Sequence, residues 1–219
     1  MKSALLISVA GIVLMGGCGQ YRFNKPAYYA VPEQEMLQSA RLSKVVILDS
    51  LDVELLEWAV FHETNIQRQR LGLSSINFDS RLQDAARQHS SEMVRLQYFD
   101  HDSPVDGFET VAKRLTRHGI SSGFGGENIA IHPAVKKDGF VFRISGAPEE
   151  TRSCWRNSGK HYTYMEFAKD LVRRWLNSAP HRRNILNRGY KFVGIGAVPS
   201  RYQDSSVFYV TQNFSSTNF

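Results

Sequence analysis

The chain has 219 residues, of which 42% are hydrophobic and two are cysteines. This length is enough for one domain with its own core, and two cysteines exclude a small fold held together by several disulfides. The 27 basic and 21 acidic residues give a formal charge of +6, which suits anionic envelope surfaces but is too dispersed to indicate a nucleic-acid partner.

The first 17 residues have the features of a secretory signal peptide. Lys2 is followed by an apolar run over residues 4–15, too short to span a bilayer comfortably, and then by two glycines. Cys18 directly after these glycines resembles the cleavage box of bacterial lipoproteins, in which the new N-terminal cysteine is lipidated. We therefore expect an exported, membrane-anchored lipoprotein of the periplasm or cell surface; cleavage near Gly19 and secretion of a free protein is the alternative.

Residues 18–48 contain scattered tyrosines and prolines without helical or strand periodicity. We expect them to form a lipid-anchored tether and lead-in, in which residues 45–48 are either a short strand or the start of packing. The folded domain is then expected over residues 49–219.

Helices are predicted in the first part of this domain. Residues 51–71 are apolar on more than one face and predict a buried helix, in which Asn65 and Arg68 are structural hydrogen-bonding residues. Asp79 is expected to cap a second helix. His89 lies on the apolar stripe of that helix, where a histidine with satisfied hydrogen bonds in the core is the expected role.

Two turns carry the candidate functional side chains. His101 follows two aromatic residues in a polar loop, where an imidazole can bind a metal or shuttle protons, or simply bond Asp100 or Asp102. Before Glu127, two glycines permit a tight turn that would bring this carboxylate into a crevice at the start of a strand. Farther along, residues 192–198 and 207–214 predict half-buried strands joined by a polar hairpin loop over residues 199–205.

The order of these features resembles the CAP superfamily, also called the SCP domain, from about Leu51 to Phe214. The residues that carry the resemblance are Asn65-x-x-Arg68, Gly72-Leu73, Leu82-x-x-Ala85-Ala86, Met93, Phe99-Asp100-His101, Arg114-Leu115, Gly119, Gly126-Glu127-Asn128-Ile129-Ala130, the run from Trp175 to Leu186, Val193-Gly194-Ile195-Gly196 and Tyr209-Val210-Thr211-Gln212-Asn213-Phe214. The resemblance implies an α+β fold, an α-β-α sandwich with a central antiparallel sheet between helical layers. It also implies structural roles for Asn65, Arg68, Asn128, Trp175 and Gln212.

Family members with a complete cleft carry two histidines and two glutamates, which sometimes hold a divalent metal. His101 and Glu127 match the first of each, whereas Ser178 and Tyr209 stand where the second glutamate and second histidine are expected. His181 is either a further cleft residue or a structural residue of the short helix that Ser178 would cap. The expected cleft is therefore His101, Glu127, Ser178, His181 and Tyr209. No cofactor is required, but His101, Glu127 and His181 are the candidate ligands for a divalent cation such as Zn²⁺.

Two further features lie around this cleft. Residues 132–163 form an insertion relative to the family, with a strand-like segment at 140–144 and a lone thiol at Cys154. The insertion is either a peripheral addition to the fold or a segment that forms one side of the cleft. Basic residues also crowd the region after the insertion, either as a solvated face or as a contact to anionic lipid or cell-wall polymer. They are Arg173, Arg174, Arg182, Arg183, Arg188 and Lys191.

The expected function is ligand binding by an exported, non-enzymatic protein through the cleft around His101 and Glu127. The resemblance implies a lipid or sterol-like ligand, a divalent metal or an envelope component. The first alternative is a hydrolase of peptides, esters or peptidoglycan, metal-assisted or with Glu127 as general base beside His101. A Ser178–His181 nucleophile pair is conceivable, but no orienting acid accompanies it. The second alternative is a structural or adhesion module with a vestigial cleft.

Overall fold

A four-stranded sheet forms the centre of the fold, which we describe from a computed structural model over residues 27–121, 123–137, 157–202 and 205–217. The strands are β1 (Asn77–Phe78), β2 (Gly125–Pro133), β3 (Val135–Lys137), β4 (Asn157–His161), β5 (Phe192–Tyr202) and β6 (Ser205–Ser215). The helices are α1 (Glu33–Gln38), α2 (Val53–Arg70), α3 (Ser80–Leu96), α4 (Val111–Arg117), α5 (Tyr164–Asn177) and α6 (Ala179–Ile185), with 3-10 turns at Ala27–Ala30, Ala40–Ser43 and Leu48–Ser50. The predicted signal peptide, Cys18, the strand-like segment 140–144 and Cys154 lie outside these ranges.

The strand order is β1-β5-β6-β2, with β5 and β2 antiparallel to β6 and β1 parallel to β5. Alternate residues of β5 serve the two faces of this sheet, because successive side chains on a strand point in opposite directions. Val193 and Ile195 belong to the main core, which also contains buried residues of α2 and α5. Gly194 and Gly196 lie directly against the backbone of α3. The predicted α+β architecture, with the sheet between helical layers, is confirmed.

Local sequence accounts for the boundaries of the long helices. The Asp52 and Asp79 carboxylates accept hydrogen bonds from the first-turn amides of α2 and α3, and α5 begins with a capping box between Thr163 and Glu166. Each of these helices also buries an apolar side against the sheet or its neighbouring helix. Within the described residues, no helix is both long and apolar enough to cross a membrane.

Two glycines of β5 allow α3 to pack directly on the sheet. A Cβ at Gly194 would overlap the backbone of Gln83, and a Cβ at Gly196 would overlap the backbone nitrogen of Arg87. The space for any side chain is therefore filled by the main chain of α3. This packing fixes α3 over β5 and β6, and with it the position of His89.

The segment before α2 is part of the folded domain. Met36, Leu42 and Val46 are buried in the main core, and the amide of Val46 donates to the carbonyl oxygen of Tyr162 at 2.8 Å. Residues 27–48 therefore differ from the expected tether, since they contribute core side chains. Their apolar residues are single ones spread over short turns, so no period marks them in the sequence.

The β5–β6 hairpin is longer than predicted. Pairing continues through Pro199↔Phe208 to Tyr202↔Ser205, so the polar loop expected over residues 199–205 is mostly strand, and that prediction was wrong. β1 pairs with β5 only at its first two residues, so among the described strands Pro199 has a neighbour on one side only, in β6, and lies on an edge. An edge tolerates a residue without an N–H, which explains why this proline does not end the strand. The ends of the predicted insertion pair with each other as β3 and β4.

Candidate functional site

Glu127 lies at the start of β2, and its side chain is only 1% exposed. The residue before it is a glycine for a steric reason, because a Cβ on Gly126 would overlap the hydroxyl of Tyr190. Pairing of β2 with β6 then places Glu127 beside Asn213 on the neighbouring strand. The turn therefore holds the carboxylate inside the protein.

A buried arginine is the main partner of this carboxylate. Nη2 of Arg114 donates to both oxygens of Glu127, at 2.9 and 2.8 Å, and the arginine side chain is fully buried. The same guanidinium donates to the carbonyl oxygens of His101 at 2.9 Å and Phe108 at 3.0 Å, which fixes the loop between α3 and α4. The negative charge of Glu127 is thus compensated by a hydrogen-bonded cation in a buried setting.

His101 is the member of this group that reaches solvent. Its Nδ1 donates to Oε1 of Glu127 at 2.9 Å, and its side chain is 48% exposed. The hydrogen bond to Glu127 raises the pKa of His101 above its ordinary value of 6.5, although partial burial opposes this shift. Nε2 is left as the ring nitrogen that is available to a bound molecule.

His89 forms the floor beside Glu127. It is fully buried, with Nε2 at 3.1 Å from the carbonyl oxygen of Asp100 and at 3.7 Å from Oε1 of Glu127. Because a carbonyl only accepts, Nε2 carries the proton and Nδ1 accepts from the hydroxyl of Tyr98 at 3.3 Å. Burial lowers the pKa of His89, which favours this neutral form. The predicted core role is confirmed, but its position next to Glu127 was not foreseen.

Asparagine side chains join this group to β6 and α6. In the amide orientation that satisfies its neighbours, Asn213 donates to Oε2 of Glu127 at 3.1 Å. Asn184 donates to the backbone oxygen of Glu127 and to the side chain of Asn128, both at 2.9 Å. Asn128 in turn donates to the carbonyl oxygen of His181 at 3.3 Å. The start of α6 is therefore bonded to the strand that carries Glu127.

The other predicted cleft residues have less direct contacts. Ser178 occupies the N-cap position of α6, but its side chain makes no capping bond, so this part of the prediction was wrong; its backbone oxygen accepts from the amide of Arg182 instead. Burial, and then the charge of His101, lowers the pKa of His181. Tyr209 is largely buried, and its ring contacts Phe99 edge to face at 6.2 Å.

An apolar surface adjoins His101. Met93, Ile129, Ile131, Val207 and Tyr209 form a small core cluster, and Val94, Tyr98 and Phe99 pack on it while remaining partly exposed. Tyr98 and Phe99 directly precede Asp100 and His101, so the partly exposed edge of this cluster and the exposed imidazole belong to the same loop. The site thus offers one polar contact beside a hydrophobic wall.

The residues assigned structural roles contact backbone and side-chain atoms of the frame. Asn65 exchanges two hydrogen bonds with the backbone of Ile76, at 2.8 and 3.0 Å. Trp175 donates from Nε1 to the backbone oxygen of Ile129 at 3.3 Å. Gln212 accepts from Asn128 at 3.1 Å and donates to Thr64 at 2.9 Å. These bonds connect α2 and α5 to the strands beside Glu127.

The donor set around Glu127 does not fit a divalent cation. Both carboxylate oxygens already accept from Arg114, whose positive charge would repel a metal ion. Over the ranges that the structure describes, no group of three or more His, Cys, Asp or Glu residues is arranged to hold a metal, and metal binding by His101, Glu127 and His181 stays a prediction. Chemically the arrangement can hold an imidazole in a fixed orientation and present it to a bound molecule.

Comparison with known proteins places this site in a family. A profile of the cysteine-rich secretory protein family, CAP, matches residues 61–214. The uncharacterized protein YkwD of Bacillus subtilis is 32% identical over 148 residues, which cover 68% of this chain and 44% of YkwD. The chain spans less than half the length of the curated relatives it matches, 44% of YkwD and 32% of the second Bacillus subtilis protein.

Solved structures agree with the sequence relatives. An extracellular protein containing an SCP domain from Bacillus anthracis str. Ames is 28% identical with a TM-score of 0.50, covering 73% of this chain and 40% of that one. An outer surface protein from Borrelia burgdorferi shares the fold at 16% identity and a TM-score of 0.50, covering 75% of this chain and 96% of that one. The resemblance inferred from the sequence motifs is confirmed, and the chain belongs to the cysteine-rich secretory protein (CAP) family.

Proposed function

We propose that this protein binds a small amphipathic molecule at the site of His101 and Glu127 and catalyses no reaction there. One observation carries the proposal: the Glu127 carboxylate is buried and bonded to Arg114, while His101, which it also bonds, extends to solvent beside an apolar cluster. A carboxylate that is neutralised and inaccessible is a poor general base, but it orients an imidazole well.

The ligand chemistry follows from the two parts of the site. The pKa of His101 is raised, and in its protonated form the outward Nε2 donates and suits a carboxylate or carbonyl oxygen. In the neutral form the proton stays on Nδ1 toward Glu127, so Nε2 accepts and suits a hydroxyl. Phe99 and Tyr98 offer aromatic surface next to it, where an aliphatic chain or ring system would lose contact with water. A fatty acid or a sterol-like molecule combines both features.

Export is part of the same proposal. The apolar leader over residues 4–15, followed by Cys18, supports secretion with lipidation at that cysteine. Two structural relatives are described as extracellular and as an outer surface protein, which supports the same location for this chain. Mass spectrometry of the membrane fraction would test it: a diacylglyceryl modification on an N-terminal Cys18 is expected, and an unmodified chain that begins elsewhere would contradict it.

Titration of the purified protein with a fluorescent fatty acid or sterol probe tests the binding proposal. His101→Ala is expected to weaken binding by roughly tenfold, the cost of one charge-assisted hydrogen bond. His161→Ala is the matched control, because this exposed histidine bonds the backbone of Val46 and lies on β4. Absence of saturable binding to the wild type, or equal loss in both variants, would refute the proposal.

A hydrolase is the second candidate, since the 2.9 Å bond between His101 and Glu127 is the geometry in which a carboxylate orients a catalytic imidazole. That reaction requires turnover of an ester or peptide substrate. Turnover that persists through purification and is lost in Glu127→Gln would replace the binding proposal. Zinc titration by calorimetry provides a third comparison, and we expect no tight metal binding because Arg114 occupies the carboxylate.

A further inference from the structure

Arg68 is a buried cation without a carboxylate partner. It is 2% exposed, and its Nε and Nη1 donate to the carbonyl oxygens of Ser74 at 3.0 Å, Ile185 at 2.6 Å and Asn187 at 3.0 Å. No carboxylate among the described residues pairs with it, and burial lowers its pKa with no acidic group opposing the shift. A buried charge normally has a counterion, so this arginine is unusual.

The arginine lines a surface pocket of about 290 Å³ between the turn after α2 and the turn before β5. Arg188 and Lys191 line the same pocket, and both are exposed with no acidic partner in the described part of the chain. Ser74, Ser75 and Asn77 add polar residues to its lining, whereas the hydroxyl of Tyr190 lies against Gly126. The pocket therefore gathers three cations and neutral hydrogen-bond donors, and it contains no acidic residue.

This arrangement distinguishes the pocket from the remainder of the basic region. Arg173 and Arg174 both bond the carboxylate of Asp170, and Arg182 donates to the backbone oxygen of Leu176 at 3.1 Å. Those side chains are therefore occupied with local partners. Arg188 and Lys191 instead line the same cavity as Arg68, so two of the basic residues in this region share one concave surface with a buried cation.

We propose that this pocket binds the phosphate group of a phosphorylated polyol, such as a glycerol phosphate. A phosphate ester carries up to two negative charges and several acceptor oxygens, which match three cations and the hydroxyl donors. Nη2 of Arg68 is the guanidinium nitrogen without an acceptor in the described residues, and it supplies the buried contact. The volume of about 290 Å³ is at the low end for ligand pockets, which suits a small phosphate ester.

The pocket is separate from the site of His101. It includes neither His101 nor Glu127, although Tyr190, which lines it, contacts the glycine before Glu127. Phosphate binding here and ligand binding at His101 are thus independent proposals. A His101→Ala variant should lose only the latter, so that failure of one is distinguishable from failure of the other.

The test is calorimetric titration of the purified protein with sn-glycerol 3-phosphate, with glycerol and acetate as comparison ligands. We expect saturable one-to-one binding of glycerol 3-phosphate that is weakened at least about tenfold in Arg188→Gln/Lys191→Gln, since two charge-assisted contacts are removed. The variant replaces two exposed side chains, so circular dichroism should show an unchanged fold. Arg95→Gln/Lys44→Gln, which removes the same charges from exposed positions on α3 and in the segment before α2, is the matched control.

Each outcome separates specific binding from general attraction. Equal weakening in both double variants, equal binding of acetate, or no binding at moderate salt would overturn the proposal, because general electrostatics is screened and does not depend on position. Vesicles of phosphatidylglycerol and phosphatidylcholine then identify the source of the phosphate. Preference for phosphatidylglycerol that is lost in Arg188→Gln/Lys191→Gln indicates a lipid headgroup. Binding of glycerol 3-phosphate without such a preference indicates a soluble or polymer-borne ester. Both results support phosphate binding in this pocket.

Discussion

Replacing Arg114 by methionine should destabilise the protein severely, because Glu127 would then be a buried charge without a cation. The guanidinium makes two bonds to Glu127 and three to the backbone oxygens of His101, Phe108 and Glu109. Removing one partner of a buried, hydrogen-bonded ion pair costs about 3–5 kcal/mol. Urea unfolding followed by circular dichroism measures this loss, with Arg95→Met, an exposed arginine on α3, as the control expected within about 0.5 kcal/mol of the wild type.

A double-mutant cycle isolates the pair from the backbone contacts. Glu127→Gln keeps the shape of the side chain and removes its charge, so adding it to Arg114→Met takes away the uncompensated carboxylate. The decrease in the free energy of unfolding of the double variant should therefore be smaller, by at least about 1.5 kcal/mol, than the sum of the decreases in the two single variants. Additivity within about 0.5 kcal/mol would refute the reasoning that Arg114 is the counterion of Glu127.

Two further predictions concern packing and protonation. Gly196→Ala should lower the free energy of unfolding in urea by at least about 2 kcal/mol, because the new Cβ would meet the backbone nitrogen of Arg87. Gly159→Ala should lower it by only about 1–2 kcal/mol, because Gly159 has a φ of 71° but open space around it. The reverse order would contradict the packing argument. In NMR titration His101 should show a pKa above 6.5 that falls in Glu127→Gln. Its stabilisation is then fully present below pH 6.5 and is lost as the pH rises through the raised pKa; an unchanged pKa in the variant would contradict the assignment.

Periodicity and capping signals identified most of the fold. The aspartate before α3, the apolar faces of α2 and the apolar stripe of α3 have local causes, so they are visible in the sequence. Residues 27–48 were not recognisable as part of the domain, since Met36, Leu42 and Val46 reach the core from short turns without a repeating pattern. The length of the β5–β6 hairpin was also missed, because whether Pro199 ends a strand depends on the absence of a neighbouring strand, which is a property of the sheet.

The motifs singled out His101 and Glu127, which the structure brings together, but they did not identify the buried partners of Glu127. Glu127 contacts Arg114 from α4 and His89 from α3 only after the chain has folded, so the local sequence of β2 does not predict these two partners. One signal was available: Arg114 lies three residues after Val111 and one before Leu115, on the apolar side of a short helix. An arginine in that position requires a buried acceptor, and a carboxylate is the most effective one.

The charge of the site decides what it can bind. Arg114 and Glu127 cancel each other, and lowered pKa values favour the neutral forms of His89 and His181, so the charge of this group changes with pH through His101. Protonation of His101 is favoured by its bond to Glu127 and by the nearby Asp100. The protonated imidazole would repel a divalent cation, whereas an anionic head group is attracted more strongly as the pH falls. Binding of a fatty acid should accordingly weaken as the pH rises through the pKa of His101, while binding of an uncharged sterol should stay constant, and this difference identifies which class the site recognises.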